Sequence, residues 1–90
     1  MVLEKVIEQR TCHVLKAKGF ISIKLVGLKG IPDRLFIAPN GFMFFVEFKS
    51  ETGKLSPHQI WWHEKLKKQN CTVLTIRSRA ELTEWIAENL

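Results

Sequence analysis

Gly30-Ile31-Pro32-Asp33-Arg34-Leu35-Phe36-Ile37-Ala38-Pro39-Asn40-Gly41-Phe42-Met43-Phe44-Phe45-Val46-Glu47-Phe48-Lys49 is the stretch whose reading decides the fold. Two apolar runs, Arg34–Ala38 and Phe42–Lys49, flank Pro39-Asn40-Gly41, which is the pattern of a β-hairpin. Side chains alternate along a strand, so Phe44, Val46 and Phe48 share one face and are expected in the core. Glu47 and Lys49 share the other face, roughly 6.6 Å apart along the chain. Turn length decides whether Asp33 joins them. A two-residue Asn40-Gly41 turn would set Asp33 opposite Phe48, on the wrong face. A three-residue Pro39-Asn40-Gly41 loop sets Ala38 opposite Phe42 and Asp33 opposite Glu47. Pro first, Asn second and Gly at the position of positive φ suit a type I turn followed by a left-handed residue. The sequence therefore predicts the three-residue loop, with Asp33, Glu47 and Lys49 on one face.

Outward from the hairpin the chain reads as alternating elements. Residues 3–18 place Leu3, Val6, Ile7, Val14 and Leu15 at helical spacing, and Gly19 stands where a C-terminal cap belongs. Phe20–Val26 is short, β-branched and bounded by glycine, hence a strand. Residues 27–32 form a loop punctuated by Gly and Pro. Ser56-Pro57-His58-Gln59 opens a helix running to about Gln69, with Asn70 as its stop. Thr72–Ile76 is a strand, and Ser78-Arg79-Ala80-Glu81 is a second capping box that opens a final helix through Trp85 and Ile86. The order αβββαβα belongs to the α/β class, a mixed β-sheet flanked by helices. With no linker, repeat or low-complexity run, residues 1–90 read as one domain.

Composition narrows the partners. Ninety residues bury only about 60–65% of the unfolded surface, so the core is thin. The 14 basic and 9 acidic residues leave a formal charge of +5, which favours a polyanion, nucleic acid before an anionic membrane. The longest apolar run, Phe42–Val46, is far below a membrane span of ~20 residues. Glu4, Glu8 and Arg10 in the first turns do not suit a signal peptide. Cys12 and Cys71 suit reduced core thiols. These features together predict a cytoplasmic protein without a membrane partner. His58 and His63 are five apart and do not form an H-E-x-x-H pair, so zinc hydrolysis has little support.

A carboxylate and an ammonium on the inner part of a sheet are costly unless paired or bound to a metal. Two convergent carboxylates make a hard oxygen site, suited to Mg²⁺ or Mn²⁺ rather than zinc. Lys49 beside them could orient a water and stabilise charge on a pentacovalent phosphate. Those parts suit metal-assisted hydrolysis of a phosphodiester. Setting aside Glu8, Asp33 and Glu47 leaves the remaining chain at +8, a basic frame around an acidic centre. Lys24, Lys29, Arg34 and Lys54 border that centre and are the candidate phosphate contacts.

Pro32-Asp33 followed by Glu47-Phe48-Lys49 in an αβββαβα chain resembles the PD-(D/E)xK nuclease superfamily, with its restriction-endonuclease-like core. More narrowly, Gly30–Arg34, Phe45–Lys49 and Gly53-Lys54-Leu55-Ser56-Pro57-His58-Gln59 resemble the virus-type replication–repair nuclease (VRR-NUC) family, over nearly the whole chain. The resemblance implies that Asp33 and Glu47 are metal ligands, with the Phe48 carbonyl as a third contact and Lys49 as the catalytic lysine. It also brings Gln59 to the site and gives Glu8 the role of the first-helix acid, although Glu4 lies one turn earlier. It further implies a homodimeric, Mg²⁺- or Mn²⁺-dependent endonuclease for branched DNA such as Holliday junctions, leaving 5′-phosphate ends and needing no small-molecule cofactor. Competing readings are a catalytically silent DNA-binding module and a regulatory subunit that binds RNA or protein. For Gln59 the capping box is a sufficient alternative explanation. Of Trp61, Trp62 and Trp85, one is expected to face DNA or a second subunit.

Overall fold

The computed structural model describes residues 3–90. It contains α1 (Glu4–Ala17), β1 (Ile21–Lys24), β2 (Arg34–Ile37), β3 (Met43–Phe48), α2 (Pro57–Lys68), β4 (Thr72–Ile76) and α3 (Arg79–Asn89). The order is the αβββαβα expected from sequence. The strands lie in the order β1-β2-β3-β4. β1–β2 and β2–β3 are antiparallel, and β3–β4 is parallel. A parallel neighbour requires a crossover, and α2 provides it.

The hairpin has the three-residue loop. Ala38 N–H donates to the Phe42 carbonyl at 2.8 Å and Gly41 N–H donates to the Ala38 carbonyl at 2.8 Å. Gly41 has φ +88°, which is why glycine occupies that position. The Asn40 side chain accepts from Phe42 N–H at 3.0 Å. Arg34 pairs with Val46 and Ile37 with Met43, so one step further along Asp33 stands opposite Glu47.

Phe44, Val46 and Phe48 are buried and join Phe36, Ile7 and Leu15 of α1 and Leu82 of α3 in the core. Each such side chain contributes roughly 1.5–3 kcal/mol on full burial. Together they fix β3 at the centre of the sheet, and alternation then forces Glu47 inward on the opposite face, where α2 packs. On α1 the buried stripe is Ile7, Thr11 and Leu15, while Leu3 is exposed. The helical spacing was right but Leu3 lies outside the contact.

β1 is shorter than the expected Phe20–Val26. Leu25 N–H donates to the Asp33 carbonyl at 3.0 Å, and beyond it the chain leaves the sheet. The loop that follows is held against α2 at two points. Trp62 Nε1–H donates to the Lys29 carbonyl at 3.1 Å. A methyl group at Gly30 would lie 2.5 Å from His58 Cβ, so only glycine permits this approach. At the far end of α2, Asn70 takes φ +64°, in keeping with its place just after the helix. Ser78 caps α3 by accepting from Glu81 N–H, but the Glu81 carboxylate accepts from Arg77 N–H rather than from Ser78. The second capping box is therefore displaced by one residue. Among the described residues no helix is long and apolar enough to cross a membrane.

Candidate active site

Asp33 immediately precedes β2 and Glu47 lies one residue before the end of β3, both on the α2 face of the sheet. One Asp33 oxygen accepts from Phe48 N–H at 2.7 Å, which pins the carboxyl against the β3 backbone. Burial pushes the Asp33 carboxyl up; the Phe48 hydrogen bond opposes this, while the neighbouring Glu47 and the Glu8 charge reinforce it. The result is a carboxyl pushed from 3.8 up to about 6. The Glu47 charge beside it thus adds to the cost of ionising the buried Asp33 carboxyl.

Glu47 is 2% exposed. Its Oε2 accepts from the Gln59 side-chain amide at 3.2 Å. Among the described residues its Oε1 is buried without a hydrogen-bond partner, and so is Nε2 of His63. These two atoms face one another at 3.5 Å, an approach outside hydrogen-bond geometry. An unsatisfied buried polar atom costs about 1–3 kcal/mol, so this carboxylate is held at some expense.

The Gln59 amide makes two contacts at once. Its Oε1 accepts from Ser56 N–H at 2.8 Å, completing the capping box, while Nε2 reaches Glu47. The cap fixes the rotamer that aims the nitrogen inward. His63 was legible only as half of an absent zinc motif. It is the most deeply buried residue of α2, one turn beyond Gln59, and its i, i+4 spacing to Gln59 was the available signal.

Lys49 continues the β3–β4 ladder, its N–H donating to the Ile76 carbonyl at 3.0 Å, so its side chain emerges on the Glu47 face. Its Cδ would lie 3.5 Å from a methyl group at Gly53, so a small residue there leaves its stem room. Arg77, not singled out from sequence, braces this segment: its guanidinium donates to the carbonyls of Ser50 and Gly53.

The two first-helix acids occupy different places. Glu8 Oε2 accepts from Lys24 Nζ and Arg34 Nε, each at 2.7 Å. Partial burial alone would raise the Glu8 carboxyl, but those two cations outweigh it and hold it below the ordinary glutamate value. Glu4 instead accepts from Ser50 N–H at 3.3 Å. Lys24 and Arg34, the expected phosphate contacts, both pair with Glu8. Lys29 and Lys54 are exposed. Among the described residues no three His, Cys, Asp or Glu side chains form a ready metal cage; the convergent acids are the pair Asp33 and Glu47.

Trp61 is the exposed tryptophan, with Lys65 Nζ 4.8 Å from its ring centroid. Trp85 packs on Phe42 and Phe44 beside the core. Cys12 and Cys71 are free and half-buried.

Residues 9–80 match the VRR-NUC domain family. The chain belongs to the VRR-NUC family. A solved structure described as "VRR_NUC domain" superposes with a TM-score of 0.86 at 31% identity, covering 97% of this chain and 97% of its own. "Putative nuclease p44" of Acyrthosiphon pisum secondary endosymbiont phage 1 is 33% identical over 81 residues, covering 88% of this chain and 87% of that protein. The VRR-NUC match spans Asp33, Glu47, Lys49 and Gln59, and its first residue falls just after Glu8.

Proposed function

We propose that this VRR-NUC chain is a Mg²⁺- or Mn²⁺-dependent DNA endonuclease that acts on branched DNA such as Holliday junctions and works as a homodimer. One observation carries the reading: among the described residues a buried oxygen of Glu47, the carboxylate beside Asp33, has no hydrogen-bond partner. Hard anionic oxygens with unfilled acceptor capacity fit a hard divalent cation. Asp33 and Glu47 would hold it, with the Phe48 carbonyl and Glu8 as further contacts, Glu8 sharing its charge with Lys24 and Arg34. The bound ion would polarise a phosphoryl oxygen and lower the pKa of a water.

The rest of the reaction falls to the chain's own groups. Lys49 orients the attacking water and stabilises the negative charge that builds on the phosphate in the transition state. Gln59 holds Glu47 in place. Lys29 and Lys54 hold the phosphate backbone, and Lys24 and Arg34 add positive potential around Glu8. In-line attack breaks the bond to the 3′ oxygen and leaves a 5′-phosphate. The preference for branched DNA and the two-fold assembly rest on the family likeness. The small surface and the exposed Trp61 and Ile60 are consistent with both.

The test is incubation of a labelled four-way junction, a duplex and a single strand with Mg²⁺, Mn²⁺ or EDTA. Junction cleavage with either metal is expected, absent in EDTA and in Lys49→Ala. Cleavage that survives EDTA refutes the mechanism, and binding without cleavage under any metal identifies a silent module. Light scattering reads the dimer directly.

A further inference from the structure

Among the described residues three buried side-chain polar atoms lack a hydrogen-bond partner: Thr11 Oγ1, Glu47 Oε1 and His63 Nε2. Two of the three face each other, 3.5 Å apart. A carbon side chain could fill the place of His63 without an unsatisfied nitrogen, so a packing role alone does not account for the imidazole. Gln59 and His63 lie one turn apart on α2 and address the two oxygens of the same carboxylate, Gln59 on Oε2 and His63 on Oε1. The amide is itself fixed by the capping box at Ser56. The imidazole is fixed by burial, its side chain only 6% exposed.

We propose that His63 is a positioning residue, whose Nε2–H fixes the plane of the Glu47 carboxylate from behind while Gln59 holds its other oxygen. The inference rests on the proposed function and deepens it by naming what orients the ligand. A carboxylate that carries a cation keeps its geometry only if a donor outside the ion's own shell restrains it. Closing the gap from 3.5 Å to the ordinary range of about 2.7–3.2 Å needs only a small movement of either side chain. The role requires the proton on Nε2, because Glu47 Oε1 can only accept.

The test titrates Mn²⁺ alone into the full chain by calorimetry, with thermal unfolding in EDTA alongside, for wild type, His63→Leu and His63→Gln. A glutamine amide can place a donor near the position of Nε2, and leucine cannot. His63→Leu is expected to weaken Mn²⁺ binding about 10–100-fold with an unfolding temperature at or above wild type. His63→Gln is expected to stay close to wild type in affinity. A His63→Leu protein that binds Mn²⁺ as wild type does overturns the inference, as does a His63→Gln protein as weak as His63→Leu. A wild type that binds no Mn²⁺ and cuts no DNA overturns the proposed function as well, so the two failures are distinct. Should His63→Leu not fold, ¹⁵N spectra of the wild-type imidazole decide: the proton is expected on Nε2, with a shift of that resonance when Mg²⁺ is added. A proton on Nδ1, or an unmoved Nε2 signal, overturns it.

Discussion

Replacing Asp33 by asparagine should make the metal-free protein more stable while abolishing DNA cleavage. The Asp33 carboxyl is pushed up to about 6, against 3.8 for an ordinary aspartate, by burial first, with the Glu47 and Glu8 charges adding to the rise. Below pH 3.8 the group is neutral in native and unfolded chains alike and costs nothing. Between there and about pH 6 the native protein holds its proton longer than the unfolded chain, so stability falls as pH rises. Above about pH 6 the whole penalty is present. Each pH unit in that window is worth about 1.4 kcal/mol, which sets a ceiling of about 3 kcal/mol, and solvent screening at a half-buried group reduces it to about 1 kcal/mol. Asparagine removes the charge and retains an oxygen for the Phe48 N–H that donates at 2.7 Å. In EDTA at pH 7.5 the variant should therefore melt about 4–8 °C above wild type, the gain vanishing near pH 4. Circular-dichroism melts at four or five pH values read this directly. Adding Mg²⁺ reverses the order, because ligand at a hundred times its Kd stabilises wild type by about 2.7 kcal/mol and the variant hardly at all. A variant that is less stable than wild type at pH 7.5, or equally stabilised at pH 4, refutes the account of a repelled carboxylate pair.

Three other outcomes follow from particular contacts. Gly30→Ala would force a methyl to 2.5 Å from His58 Cβ at a φ of +84°; it should cost at least about 2 kcal/mol by chemical denaturation and displace the loop bearing Asp33. Arg77→Ala removes the donors to Ser50 and Gly53, which should cost about 1–3 kcal/mol and lower kcat for junction cleavage through looser placement of Lys49; an unchanged kcat in a folded variant contradicts this. Junction affinity should fall steeply with salt, on the order of tenfold or more between 50 and 200 mM, measured by fluorescence anisotropy; a flat response rules out backbone recognition.

The hairpin register was readable because turn chemistry is local: Pro39, Asn40 and Gly41 each suit one position of a three-residue loop, and the loop length alone puts Asp33 opposite Glu47. Helix starts at Ser56 and Ser78 were readable for the same reason, since a cap acts over three residues. What the sequence hid is long-range. That β4 runs parallel to β3 places α2 over Glu47, and only then does His63 meet it, whereas the family resemblance already pointed Gln59 at the site. The engagement of Lys24 and Arg34 with Glu8 joins three elements, and charge spacing along the chain carries no trace of it. Arg77 was hidden likewise, because its acceptors are backbone carbonyls 24 and 27 residues away. Glu4 and Glu8 are one turn apart on α1, and periodicity cannot separate them. Their surroundings differ: Glu8 lies within electrostatic reach of Asp33, and Glu4 bonds to Ser50.

Anomalous diffraction from crystals of the wild-type chain soaked in Mn²⁺ tests the claim at the centre of this account. The expected map has a Mn²⁺ peak bonded at about 2 Å to carboxylate oxygens of both Asp33 and Glu47, and Asp33→Asn crystals soaked alike have none there. A peak bound by neither acid, or no peak at saturating metal, would contradict it.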